Sequence, residues 1–252
     1  MIGMDDRYAR EQSFHDQAYT KHTRAAAGKF YSIQGKSREH YKQLLAMHAV
    51  SGTRVLEYGC GRGSSAFFLS DRGAIVSAID ISKAGLDLAR EEARNRGLSI
   101  DFRLMNAEKL EFPDSTFDLV CGTAILHHLD LDRSFGEISR VLKPGGATVF
   151  IEPLGHNPLI NVYRKLTPRM RTEDEHPLRM QDFTVARRHF DRVELEFYHL
   201  LSLAAVPLRN RSVFPRLVGT LDRLDSVLFR RWPSMRKYAW YAVMVFTQPR
   251  KS

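Results

Sequence analysis

A short apolar run that enters a glycine-rich loop and leaves it as a helix constrains this chain more than any other feature. Thr53–Tyr58 (TRVLEY) has the length and character of a buried strand. Gly59, Gly61 and Gly63 follow, and Ser64–Arg72 then reads as a helix that stops at Gly73. Glycines in such a loop let the backbone turn tightly and let a ligand touch it without meeting a Cβ. The spacing is not that of a dinucleotide fingerprint, whose third glycine would fall where Ser64 stands. The loop also lacks the lysine of a phosphate-binding P-loop.

The alternation of strand and helix continues down the chain. Ala74–Ile79 is the next strand, and Ser82 is a good N-cap for a helix over 83–96 that ends at Gly97. Ile100–Met105 and Phe117–Cys121 read as strands. Leu131–Leu142 reads as a helix with Phe135, Ile138, Val141 and Leu142 on one face. A Pro144-Gly145-Gly146 turn then leads into a fifth strand, Ala147–Glu152. This pattern predicts an α/β fold with a parallel, doubly wound sheet, right-handed crossovers and a ligand site at the carboxyl ends of the strands. Arg192–Tyr198 and Ala239–Thr247 add two strands, expected to pair as an antiparallel hairpin at one edge of a seven-stranded sheet. Residues 5–27 and 36–50 read as helices, so 1–50 is an N-terminal helical segment ahead of an α/β domain over 51–252. The connection 199–238 is too long for a plain loop and is expected to be a helical cap insertion acting as a lid.

The second strand ends at Asp80, where a carboxylate can accept both ribose hydroxyls of an adenosine ligand. It could instead cap the following helix, a task that Ser82 fits better. Five blocks now stand in order: VLEYGCGRG at 55–63, AIDIS at 78–82, NAEKLEFPDSTFDLV at 106–120, AILHHL at 124–129 and RVLKPGG at 140–146. Together they resemble the class I S-adenosylmethionine-dependent methyltransferases, in the ubiquinone/menaquinone-biosynthesis (type 11) branch. The resemblance spans roughly residues 50–152 and fades beyond Pro153.

It implies a Rossmann-like fold and S-adenosyl-L-methionine as cofactor. Glu57, Gly59 and Gly61 would line the methionine part, Asp80 would hold the ribose, and Ile81 would lie against the adenine. Asn106 and Ala107 would meet the adenine edge. The family usually has Asp at position 106, and Asn keeps an accepting oxygen there. Thr123 would lie near the transferring methyl group.

Methyl transfer from a sulfonium is an in-line displacement, so the protein must mainly align the nucleophile and exclude water. A base helps where the acceptor must lose a proton. His127 and His128 follow the fourth strand, and either could deprotonate a hydroxyl. The pair could equally pack and cap a turn. The phase of Leu126 and Leu129 favours His128 as the base. His156, Arg164, Arg171 and His176 leave the fifth strand at the same end and are candidate acceptor contacts, although each also reads as a surface residue in a local ion pair. The expected acceptor is a small molecule methylated at oxygen first, carbon or nitrogen next.

Charge bears on that acceptor. The formal net charge of +9 is uneven, with 20 Lys and Arg against 19 Asp and Glu in 1–150, and 18 against 10 in 151–252. Residues 199–238 alone hold eight basic and two acidic residues. An arginine-rich final third suits an anionic acceptor, an acidic carrier, a membrane surface or simply a solvated face. Phe214, Leu217, Val218, Leu221, Leu224 and Leu228 repeat there at helical spacing, with Arg216, Arg223 and Arg230 on a separate stripe. Packing on the parent domain is favoured over lying on a bilayer. If the segment covers the acceptor, an aromatic or lipid-like compound fits.

The polar start, with Asp5 and Asp6, argues against a signal peptide, and a cytoplasmic location with at most peripheral membrane contact is expected. Cys60 and Cys121 make no disulfide framework, and no Cys/His spacing marks a metal site. A sequence pI near 9.7 also admits a nucleic-acid methyltransferase. The Asp/Asn-Pro-Pro-aromatic signature is missing, however, where Gly122-Thr123-Ala124 stands, and no RNA-binding module is evident. A non-catalytic module that keeps the pocket is a third reading, against which the intact glycines, Asp80 and Thr123 argue.

Overall fold

The structure is a computed structural model that describes residues 4–21, 28–168, 172 and 175–251. Seven strands form one sheet: β1 (Arg54–Tyr58), β2 (Ile75–Asp80), β3 (Asp101–Leu104), β4 (Phe117–Thr123), β5 (Leu142–Pro153), β6 (Phe190–Tyr198) and β7 (Tyr241–Pro249). Their order is β3-β2-β1-β4-β5-β7-β6. β7 runs antiparallel between β5 and β6, and the other pairs are parallel. The chain builds outward from β1 through β2 to β3, then returns to place β4 on the other side of β1. The order therefore reverses between β1 and β4, which opens a crevice at their carboxyl ends.

The helices are α1 (Met4–Lys21), α2 (Gly28–Tyr31), α3 (Gly35–His48), α4 (Ser64–Ser70), α5 (Lys83–Arg96), α6 (Leu131–Val141), α7 (Pro158–Leu166), α8 (Phe183–His189) and α9 (Phe214–Arg231). None of the described helices is long and apolar enough to cross a membrane. Local chemistry sets several boundaries. Ser82 Oγ accepts from Gly85 N at the start of α5, and Gly97, with φ +67°, ends it in a left-handed cap. Asp130 caps α6 by accepting from Arg133 N. Alternate residues of the central strands enter opposite cores: Val55, Leu119 and Val149 on one face, Leu56, Val120 and Phe150 on the other.

Two expectations change. The Pro144-Gly145-Gly146 turn lies inside β5 rather than before it. Leu142 pairs with Phe117 and Ala147 with Leu119, so the three residues form a bulge, with Gly145 at φ +80°. The strand thus starts directly from α6.

The second change concerns 199–238. It is helical, as expected, with 3-10 turns at Leu201–Leu208 and Pro233–Tyr238 flanking α9. The buried face of α9 holds Asp222, Asp225 and Phe229, while Leu224 and Val227 are about half exposed. Asp225 is buried because its carboxylate accepts from the backbone N–H groups of Leu200, Leu201 and Ser202, which a leucine could not do. His199, fully buried at φ +66°, places Nε2 2.8 Å from Ser37 Oγ of α3. The Asp225 bonds tie α9 to the turn that follows β6, and His199 ties that turn to α3. Among the described residues, none from 199–238 lines either cavity described below, so this segment is not a lid over them.

Candidate active site

A cavity of about 530 Å³ sits over the carboxyl ends of β1, β2 and β4, within the range of small-molecule sites. Gly59, Asp80, Ile81, Asn106, Ala107 and Thr123 line it. Gly59 has φ +66°, and a Cβ there would fall within 2.6 Å of the Ile125 side chain. β4 is followed by a second left-handed residue, Ala124 at φ +53°, a conformation uncommon for non-glycine residues.

Asp80 braces the crevice. Its Oδ2 accepts from Gly61 N at 2.6 Å and its Oδ1 from Ser82 N at 2.8 Å. Burial pushes its carboxyl above the ordinary range, and the two amides and His15 oppose that. Each oxygen retains a lone pair for a ligand in the cavity. Asn106 Oδ1 accepts from Glu108 N at 2.8 Å, and the Tyr58 hydroxyl donates to the Ala107 carbonyl. These bonds fix the loop after β3.

Glu57 and Gly61 lie behind the wall. Glu57 is 2% exposed and accepts from Ser65 N and Ala66 N, so it caps the start of α4. Burial pushes its carboxyl up to about 7 even though both amides favour the charged form. Gly61 packs against α1, where a Cβ would meet the Tyr19 hydroxyl.

The roof is α1. Gln12 Nε2 donates to the Ile81 carbonyl at 2.9 Å, Asp16 accepts from Ser82 Oγ and from Ala84 N, and Arg7 pairs with buried Glu108. Tyr8, Glu11, His15 and Tyr19 face the cavity from this helix. Their spacing of three, four and four residues was a legible helical stripe, but sequence reasoning used it only to place a helix.

A smaller cavity of about 150 Å³ adjoins the first and shares Tyr31, Ala124, His128 and Tyr241 with it. Phe14, Phe30, Tyr163 and Trp240 give it aromatic walls, and His127, Arg164 and Glu175 give it polar ones. The Phe30 and Tyr163 rings lie 4.6 Å apart.

The two histidines differ in setting. His127 is buried with Nδ1 2.7 Å from Glu152 Oε2, while Glu152 Oε1 accepts from Ile125 N and Leu126 N. Burial pushes Glu152 up to about 7, against the pull of those amides. His127 Nε2 lies 3.9 Å from Glu175 Oε1. His128 faces both cavities, and its Nδ1 is 3.2 Å from Glu11 Oε2. Burial and the neighbouring His127 lower its pKa, while Glu11 raises it.

The candidate acceptor contacts separate. Arg164 reaches the smaller cavity, donating to the Leu154 carbonyl and Asn161 Oδ1, each at 3.0 Å. His156 accepts from Met180 N, and exposed His176 approaches Asp182 at 3.4 Å; neither lines a described cavity. Arg171 lies outside the described residues.

Residues 56–150 match the family described as a methyltransferase domain. The doubly wound sheet and the glycine-floored crevice at its switch point lie in and around this matched segment, which is a domain of the methyltransferase type. Several of the curated relatives that this segment resembles are ubiquinone biosynthesis O-methyltransferases. The chain is 35% identical over 117 residues to the ubiquinone biosynthesis O-methyltransferase of Methylocella silvestris, covering 46% of this chain and 44% of that one. It thus spans less than half the length of that relative. It is 28% identical over 200 residues to methyltransferase GfsG of Streptomyces halstedii, covering 75% and 68% of the two chains. Among solved structures, phosphoethanolamine N-methyltransferase 2 of Haemonchus contortus, in complex with S-adenosyl-L-methionine, shares the fold. The TM-score is 0.65 at 19% identity, over 94% of this chain and 60% of that one.

Proposed function

We propose that this chain transfers the methyl group of S-adenosylmethionine to an oxygen of a small planar acceptor held in the smaller cavity. The residues present fit the cofactor. A glycine floor admits close approach, Asp80 offers two accepting oxygens for a ribose, and the apolar side chains of Ile81 and Leu129 suit an adenine. Asn106 and Ala107 would meet the adenine edge, and Thr123 would stand near the methyl group. Glu57 would act from behind, by holding the start of α4 beneath the methionine part.

The observation that carries the oxygen assignment is the buried His127–Glu152 pair on the wall of the aromatic cavity. When Glu152 is ionised it accepts from Nδ1–H and leaves Nε2 as the basic nitrogen, the tautomer a general base needs. His127 therefore takes the role that the phase argument had assigned to His128. The bound sulfonium supplies the electrophilic methyl group. The protein aligns the acceptor oxygen between aromatic walls, excludes water beneath α1 and accepts the hydroxyl proton at His127 Nε2. Arg164 at the same wall suits an acceptor that carries an anionic group.

The test incubates the full chain with the cofactor and a panel of phenols with and without a carboxylate, and follows S-adenosylhomocysteine by mass spectrometry. Turnover with a phenol and none with its methyl ether supports the proposal. Turnover only with amines or activated carbon acids overturns it.

A further inference from the structure

We propose that Glu11, His15 and His128 form a binding site for a divalent transition-metal ion of the zinc type, facing the larger cavity. Glu11 and His15 are four residues apart on α1 and so project from the same side of it. His128 comes from the 3-10 turn after β4. Glu11 Oε2 is 3.5 Å from His15 Nε2 and 3.2 Å from His128 Nδ1. All three ligand atoms lie within 4.8 Å of one another. An ion with tetrahedral bonds of about 2.0–2.1 Å sets its ligand atoms roughly 3.3–3.4 Å apart, and the two close distances straddle that value. Two imidazoles and a carboxylate are ligands of the kind that zinc and its neighbours take.

Burial gives an independent reason. Glu11 is only 3% exposed and accepts from no backbone amide among the described residues; its carboxylate is faced instead by the side chains of His128, His15 and Thr172. Elsewhere Glu57, Asp80, Glu152 and Asp225 each accept from backbone amides, and buried Glu108, whose Oε2 lacks a hydrogen bond, is paired with Arg7. A buried carboxylate without such bonds is strongly unfavourable unless a cation neutralises it. A second trio, His127, His128 and Glu175, also lies close together. There His127 Nδ1 is already engaged by Glu152, and the Nε2–Glu175 separation of 3.9 Å is wider than a tetrahedral edge.

The ion would join α1 to the loop after β4 and so clamp the roof over the cavity. Because all three side chains line the cavity, a further ligand would come from its contents.

The test uses the full chain stripped with a chelator and titrated with Zn²⁺ by calorimetry and with Co²⁺ by visible absorption. One ion per chain is expected, with the d–d bands of a low-coordinate cobalt site. Glu11→Gln and His15→Ala should each weaken binding by more than about tenfold. His15→Asp, which restores a ligand, should bind more tightly than His15→Ala, which separates ligation from mere detachment of α1. Zn²⁺ should raise the unfolding temperature of the unaltered chain and leave that of Glu11→Gln unmoved. No stoichiometric uptake, equal uptake in every variant, or loss in Glu175→Gln but not in Glu11→Gln would overturn the assignment.

Discussion

His127 Nδ1 lies 2.7 Å from Glu152 Oε2, and the same carboxylate receives two backbone amides from the turn that carries the histidine. One buried side chain on β5 thus sets the position of the turn after β4 and engages Nδ1 of its first imidazole. If His127 is the base, His127→Ala should lower turnover with a hydroxyl acceptor by about 10²–10³-fold, with cofactor affinity little changed. The companion His128→Ala should lower it far less. Initial rates of S-adenosylhomocysteine release, with cofactor binding by calorimetry, distinguish the two. Full turnover in His127→Ala removes the base.

Asp80 joins the end of β2 to the glycine loop while facing the cavity. Asp80→Ala should weaken binding of S-adenosylmethionine by more than about tenfold, since two charge-assisted bonds to the ribose are lost. The protein should remain folded, with cooperative thermal unfolding. Unchanged affinity in a calorimetric titration would place the ribose elsewhere.

Gly122 tests a steric claim free of backbone strain, because its φ is not in the left-handed region. A Cβ there would sit 2.7 Å from Phe150, 2.8 Å from the Tyr58 carbonyl and 2.9 Å from Ile125. Gly122→Ala should therefore destabilise the fold by about 1–3 kcal/mol, read from urea unfolding midpoints at constant m. A stability equal to that of the unaltered protein would show that β1 and β4 have slack at their carboxyl ends.

Glu57 predicts a pH dependence. Its folded pKa of about 7 exceeds the ordinary 4.5, so between those values the folded state holds a proton that the unfolded state has released. Stability should therefore fall as pH rises from about 4.5 to 7, by up to roughly 3 kcal/mol from this group. Glu57→Gln cannot ionise and should show a shallower fall over the same window, in urea titrations at pH 5 and pH 8. Parallel slopes in the two proteins would mean that Glu57 does not titrate there.

Much of the fold was legible because its signals are local. Apolar runs of strand length, glycines at 59, 61, 63 and 97, and the cap at Ser82 act within one turn of the chain, and the expected order of strands and helices followed from them. Gly59 and Asp80 were legible for the same reason, at the ends of strands, whereas Ile81, Asn106, Ala107 and Thr123 were implied by the family resemblance; all six line the larger cavity. The register of Pro144-Gly145-Gly146 was not, because a bulge and a turn share a composition and only the pairing with Phe117 and Leu119 separates them.

What the sequence by itself determined is therefore the alternating α/β layout and the glycine-floored crevice between β1 and β4. Tertiary structure alone decided which helix roofs that crevice, why α9 turns two aspartates inward and leaves Leu224 outside, and which histidine meets Glu152. The physical reason is the same in each case. Hydrogen-bond satisfaction of buried groups depends on partners far along the chain, such as Asp225 with Leu201 or Gln12 with Ile81, and periodicity carries no record of them.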